Sequence, residues 1–189
     1  MTVALLALGL SYIAVFTFFK MNSTDFVVRQ HNERALVHRD QHVIGALPAR
    51  LSFSVSGNSV GYLGGGWYLP ETEGVWSAMP DAWIEIGLLP TDSALTLRMD
   101  CIAFVNEAHP RISISADVNG VRVGAWVRDP SNGSESLSMH LPERTAASGK
   151  LTVHLHVEHA ASPFHLLMGN DIRRLGILLK SIEISAAGL

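Results

Sequence analysis

From residue 51 onward, apolar and polar positions alternate with a period of two, the signature of strands with one face buried and one face wet. LSFSVS at 51–56, WIEIGLL at 83–89, ALTLRMDCIAFV at 94–105, RISISADV at 111–118, VRVGAWV at 121–127, SLSMHL at 136–141, KLTVHLHVEH at 150–159 and RRLGILLKSIEIS at 173–185 each carry this pattern. Turn segments rich in Pro, Gly, Asp, Asn and Ser separate most of them. Asn119-Gly120 joins two of the runs, and a type I′ hairpin turn needs positive φ at both central residues, which this dipeptide tolerates best. No twelve-residue amphipathic helix lies between the runs, which argues against parallel βαβ units. The prediction is all-β: an antiparallel β-sandwich or jelly roll over residues 51–189, with Ile112, Ile114, Ala116 and Val118 facing the core.

The beginning of the chain follows another rule. Residues 3–19, VALLALGLSYIAVFTFF, contain no charge and end at Lys20. This length is at the lower limit for crossing a bilayer as a helix. Tyr12, Phe16, Phe18, Phe19 and Lys20 stand where interfacial anchors belong. The expectation is one N-terminal transmembrane helix, residues 1–20, in contact with the lipid bilayer through 3–19. A cleaved signal fits less well, because no Lys or Arg precedes the run and FFKMNS is not a small-x-small cleavage site. A third reading makes the run the last span of a larger membrane protein. Residues 21–50 are polar and irregular and read as a connector, part helical or carrying a first strand.

The chain has 189 residues, 48% hydrophobic and 16% charged, with a formal net charge of −3. It has no basic patch suited to nucleic acid. A single cysteine, Cys101, excludes an internal disulfide framework and lies inside an apolar run, as a buried thiol would. His154 and His156 share one face of a strand. A metal site there lacks a recognisable third ligand, and solvent-facing histidines are the preferred reading.

The densest chemistry lies in GYLGGGWYLPETEGVWS at 61–77. Glycine permits close backbone approach or positive φ. Tryptophan and tyrosine offer flat apolar faces with a polar edge, on which the C–H face of a sugar stacks. Trp67, Tyr68 and Trp76 are therefore the candidate carbohydrate contacts, with Glu71 or Asn58 orienting hydroxyls. The competing structural reading plugs the end of the sandwich with Trp76 and Trp83 and packs Trp67 under the glycine loop. Trp126 reads as core or sheet face. Asp171 with an Arg two or three positions on reads as a salt bridge pinning the last strand. No nucleophile elbow, phosphate loop or H-E-x-x-H occurs. Glu71, Glu73, Asp81 and Glu85 lie close in sequence, but nothing places two carboxyls at a glycosidase separation. No catalytic residue, metal or cofactor is expected.

Three segments converge on a family pattern. GWYLPETEGVWSAMPDAWIEI at 66–86, ISISADVNGVRV at 112–123 and NDIRRLGILLKSIEI at 170–184 together resemble the carbohydrate-binding-like jelly-roll domains associated with bacterial membrane glycosyltransferases and other envelope polysaccharide proteins. The resemblance covers roughly residues 51–186. It implies a non-catalytic β-sandwich beside a polysaccharide-handling machine, on the outer side of the inner membrane. The chain departs from the pattern in lacking an attached transferase. The expected function is a single-pass accessory protein of a bacterial polysaccharide synthesis or export system, binding glycan or docking on a membrane glycosyltransferase, with its domain in the periplasm. Lys20, Arg29 and Arg34 follow the span, and by the positive-inside rule they would favour a cytoplasmic domain. A purely structural interaction subunit is the alternative, and a glycan-modifying enzyme the third reading.

Overall fold

A computed structural model of the chain describes residues 43–187. The expected transmembrane run, 3–19, and most of the connector lie outside the described residues. Among the described residues, no helix is long and apolar enough to cross a membrane.

Ten strands form among the described residues: β1 (Val43–Ile44), β2 (Ala49–Ser52), β3 (Val75–Trp76), β4 (Asp81–Leu88), β5 (Leu95–Ala103), β6 (Ile112–Val118), β7 (Val121–Arg128), β8 (Leu137–Leu141), β9 (Lys150–Glu158) and β10 (Ile177–Ala186). Every alternating run contributes one, although LSFSVS stays extended only as far as Ser52. Beyond it Gly57 N–H donates to the Ser54 carbonyl, and the chain turns away. β1 and the start of β2 fall in the stretch read as connector, so the sandwich begins before residue 51. β1 also pairs with β4 in parallel, Val43 opposite Gly87, against the wholly antiparallel expectation.

The strands make two five-stranded sheets, β1-β4-β9-β6-β7 and β2-β10-β5-β8 with β3 also on β10. Apart from the short β1 and β3, the pairing is nested. β6 pairs with β7, β5 with β8, β4 with β9 and β2 with β10, all antiparallel. The chain is thus one long hairpin, rolled up when β9 zips onto β6 and β10 onto β5. That is the jelly-roll topology. Its innermost turn is Asn119-Gly120, with φ of 51° and 81°, as the type I′ turn requires.

The core lies between the sheets and is built by alternation. Ala82, Ile84, Ile86 and Leu88 of β4 face Leu97, Met99 and Cys101 of β5 across it, and Ile112, Ile114, Ala116 and Val118 point inward from β6 as predicted. Burial there pushes the Cys101 thiol up to about 12, which keeps it protonated. The intervening residues of β4, β9 and β6 form the outer face of the first sheet.

Candidate functional site

The glycine-tryptophan segment is a clasp along β4. Gly64 N–H donates to the Trp83 carbonyl at 2.8 Å, and Trp83 N–H donates to the Gly65 carbonyl at 2.9 Å. Gly66 has φ of +89°, and a Cβ there would lie 2.1 Å from the Asp81 carbonyl oxygen. Both conditions demand glycine. The clasp sets Trp67 between the sheets with 0% exposure, its indole N–H donating to the Trp83 carbonyl at 2.8 Å. Trp67 is therefore a core residue, and no sugar reaches either face of its ring. Of the two readings of Trp67, packing under the glycine loop is the one the structure adopts.

Tyr68 is also buried and packs with Leu175, Trp76, Ala78 and Phe104. Trp76 is half-buried and meets Phe104 edge-on, with ring centroids 6.2 Å apart. The Arg173 guanidinium lies 5.2 Å over the Tyr68 ring, and the Tyr68 hydroxyl accepts from Arg174 N–H at 3.2 Å. Arg173 reaches Glu71 at 2.6 Å and Asp171 at 2.7 Å. Hydrogen bonding from Arg173 holds the Asp171 carboxyl below its ordinary range, and the same contact raises Arg173 further. The predicted Asp171–Arg pair thus exists, with Glu71 as a third member. Tyr68, Glu71 and Trp76 do come together, as the base of a knot closing β10 onto the sandwich. Asn58 accepts from the Ser59 hydroxyl at 2.7 Å and serves its local turn.

A different surface has the geometry of a site. The outward positions of β4, β9, β6 and β7 fall into rows. Asp81 stands opposite His156 and His156 opposite Ser115, while Trp83 stands opposite His154 and His154 opposite Asp117. Asp81 Oδ1 meets His154 Nε2 at 2.9 Å and His156 Nδ1 at 2.8 Å. His154 Nδ1 lies 3.6 Å from Asp117, which takes Arg122 Nε at 2.6 Å. His156 Nε2 lies 3.7 Å from Glu158. Trp83, 37% exposed, stacks on His154 with centroids 4.8 Å apart and planes 13° apart. It is an outward platform rather than an end plug.

The His156 hydrogen bond draws the Asp81 carboxyl below the ordinary range, and the Arg122 hydrogen bond does the same for Asp117. A glycosidase acid needs the opposite shift. Among the described residues, no three His, Cys, Asp or Glu side chains stand where they would share a metal ion.

Beside this ladder lies an open trough of about 300 Å³. Ser113, Ser115 and Ala125 line it with short side chains, while Arg122, Trp126, Val127, His156 and Glu158 are its larger members. The depression lies where alternation puts Ile112, Ile114 and Ala116 inward and leaves the short Ser113 and Ser115 outward on β6, with Asp117 beyond them. Trp126 is partly buried and packs against the core. A second cleft, of about 230 Å³ on the other sheet, is lined by Arg50, Arg98, Asp100, Ser136, Ser181 and Glu183, with no apolar or aromatic side chain. The alternation of KLTVHLHVEH puts His154 and His156 on one face, but nothing local in the chain joins that face to Asp81, Trp83 and Arg122. That needs the register between strands far apart in the chain.

No protein-family model matches the chain, and no curated protein matches it. Among solved structures, it is similar to dimeric latent PorU from Porphyromonas gingivalis at 11% identity and a TM-score of 0.42, over 72% of this chain and 12% of that one. It is similar to the C-terminal CBM6 of LamC, a laminarinase from Zobellia galactanivorans, at 12% identity and a TM-score of 0.38, over 72% of this chain and 98% of that one. The CBM36-1 domain of a multidomain xylanase from the hindgut metagenome of Trinervitermes trinervoides is 14% identical with a TM-score of 0.35, over 75% of this chain and 98% of that one. At such identities and TM-scores the likenesses carry no inference about ligand or activity.

Proposed function

We propose that the described domain is a non-catalytic glycan-binding jelly roll whose binding surface is the trough on the outer face of the first sheet. The observation that carries this reading is the trough itself, an open depression of about 300 Å³ with Arg122 as donor, Glu158 as acceptor and the His156 ring able to serve as either around short side chains. Sugar hydroxyls both donate and accept, so a surface offering both kinds of partner suits a saccharide. The stacked Trp83–His154 pair adjoins it through His156 and Asp81 and supplies flat apolar surface.

In this reading the protein is an accessory subunit of a bacterial polysaccharide synthesis or export system. The resemblance of residues 66–86, 112–123 and 170–184 to envelope jelly-roll domains supports that setting. Residues 3–19 hold it in the inner membrane as a single span, with the domain on the periplasmic side. A membrane glycosyltransferase or the export complex is the partner. Tethering raises the effective concentration of a weak binder at the point where glycan emerges.

Titration calorimetry with candidate envelope polysaccharides tests the binding surface. Arg122→Ala and His156→Ala are each expected to weaken binding about tenfold while the fold is retained, the scale of one lost charged hydrogen bond. Binding equal to the parent in both variants would sink the assignment to the trough. A topology reporter fused after Leu189 tests the side of the membrane.

A further inference from the structure

The loop between β9 and β10 presents an apolar tip that nothing in the fold uses. Phe164 is 50% exposed, Leu167 94% and Met168 53%. Isolated exposed apolar residues are common and mean little. Here three large ones stand on one held loop. Ala161 and Leu175 exchange backbone hydrogen bonds at 3.2 and 2.8 Å, closing its neck. Inside, Phe164 N–H donates to the Asp171 carbonyl at 2.9 Å, Met168 N–H to the Pro163 carbonyl at 2.9 Å, and the Ser162 hydroxyl to the Asp171 carbonyl at 3.0 Å. Asp171 is in turn fixed by Arg173 and so joined to Glu71. The tip is therefore presented, not frayed.

Charge follows the same plan. Residues 159–170, HAASPFHLLMGN, contain no Asp, Glu, Lys or Arg. At the neck, the Arg174 guanidinium bonds the Ala160 carbonyl at 3.0 Å. Apolar side chains at the tip and a cation one level behind is the arrangement of segments that enter the lipid interface. Met79 and Leu69, also exposed, flank the base: Pro80 accepts from Val157 at the exit of β9, and Tyr68 accepts from Arg174.

We infer that Phe164, Leu167 and Met168 insert into the lipid interface and set the orientation of the sandwich on the membrane that residues 3–19 enter. This rests on the anchor reading above. The tip lies at the Asp81 end of β4, whereas β1 joins its Leu88 end. Residues 20–42, at ~3.3 Å each, reach up to ~75 Å, enough to permit either end to face the bilayer.

The test uses the full chain in vesicles of phosphatidylcholine and phosphatidylglycerol. An environment-sensitive fluorophore is attached at Leu167→Cys or, as the control, at Val121→Cys beside the turn at the far end of the sheet. The buried Cys101, its thiol pushed up to about 12, stays unlabelled. The expected result is flotation with the vesicles, a blue-shifted emission at position 167, and quenching there by lipid-borne nitroxide severalfold greater than at 121. A chain that floats while position 167 stays aqueous overturns the tip and leaves the anchor standing. A chain that fails to float overturns both.

Discussion

Two ionic networks lie on the surface of this sandwich, and they differ in the cation at their centre. In the knot beside β10, Arg173 joins Glu71 and Asp171 and lies over Tyr68. On the outer face of the first sheet, His154 and His156 join Asp81, with Asp117, Glu158 and Arg122 around them. Arginine keeps its charge at every accessible pH and fills its fork with two carboxylates, so nothing remains to offer a ligand. Imidazole exchanges between donor and acceptor roles, and its neighbours edge an open trough. The difference teaches that carboxylates beside aromatics do not identify a sugar site. What matters is whether their hydrogen-bonding capacity is already satisfied by a permanent cation.

The largest effect expected from breaking this contrast is on stability. Trp67→Ala removes a fully buried indole from the clasp and should cost about 3–5 kcal/mol in denaturant unfolding. Trp83→Ala, on the histidine face, should cost less because its ring is half in water already. Equal losses would mean the clasp is no more structural than the face. A middle-sized effect comes from the two arginines. Arg173→Met strands two carboxylates that are only partly exposed and should cost about 1–2 kcal/mol, between the surface and buried limits for an ion pair. Arg122→Met, which breaks only an exposed pair, should lower the unfolding midpoint much less than Arg173→Met while weakening ligand binding. A stability loss at Arg122 matching that at Arg173 would erase the distinction between knot and face.

The smallest effect is in acid. Asp171, Asp81 and Asp117 are all held below the ordinary 3.8 in the folded chain. A depressed carboxyl binds fewer protons folded than unfolded, so its contribution is fully present above 3.8 and is lost as pH falls through the lower folded value. Carboxyl-carbon NMR should show all three titrating low. Arg173→Met should return only Asp171 toward 3.8, and Arg122→Met only Asp117. Movement of Asp81 in Arg173→Met would show that the two networks are coupled, whereas its movement in Arg122→Met would report only the His154 link within the face.

Much of this was legible along the chain. Each alternating run became a strand because period two has one physical outcome when one face must be buried, and Asn119-Gly120 became the hairpin turn because both residues accept positive φ. The Asp171–Arg pair was also legible, being local. The role of Trp67 was not. A tryptophan after three glycines reads equally as a displayed ring or a packed one, and only the approach of the clasp to β4 decides between them.

Local pattern fixed the eight principal strands, the polarity of their faces and the innermost turn, because these depend on neighbours within a few residues; the short β1 and β3 exist only because β4 and β10 offer them an edge. Tertiary structure alone decided which carboxylate meets which cation. Asp81 reaches His154 and His156, and Arg173 reaches Glu71, across separations of 73, 75 and 102 residues. Register between distant strands sets those meetings, and register is a property of the rolled-up hairpin as a whole.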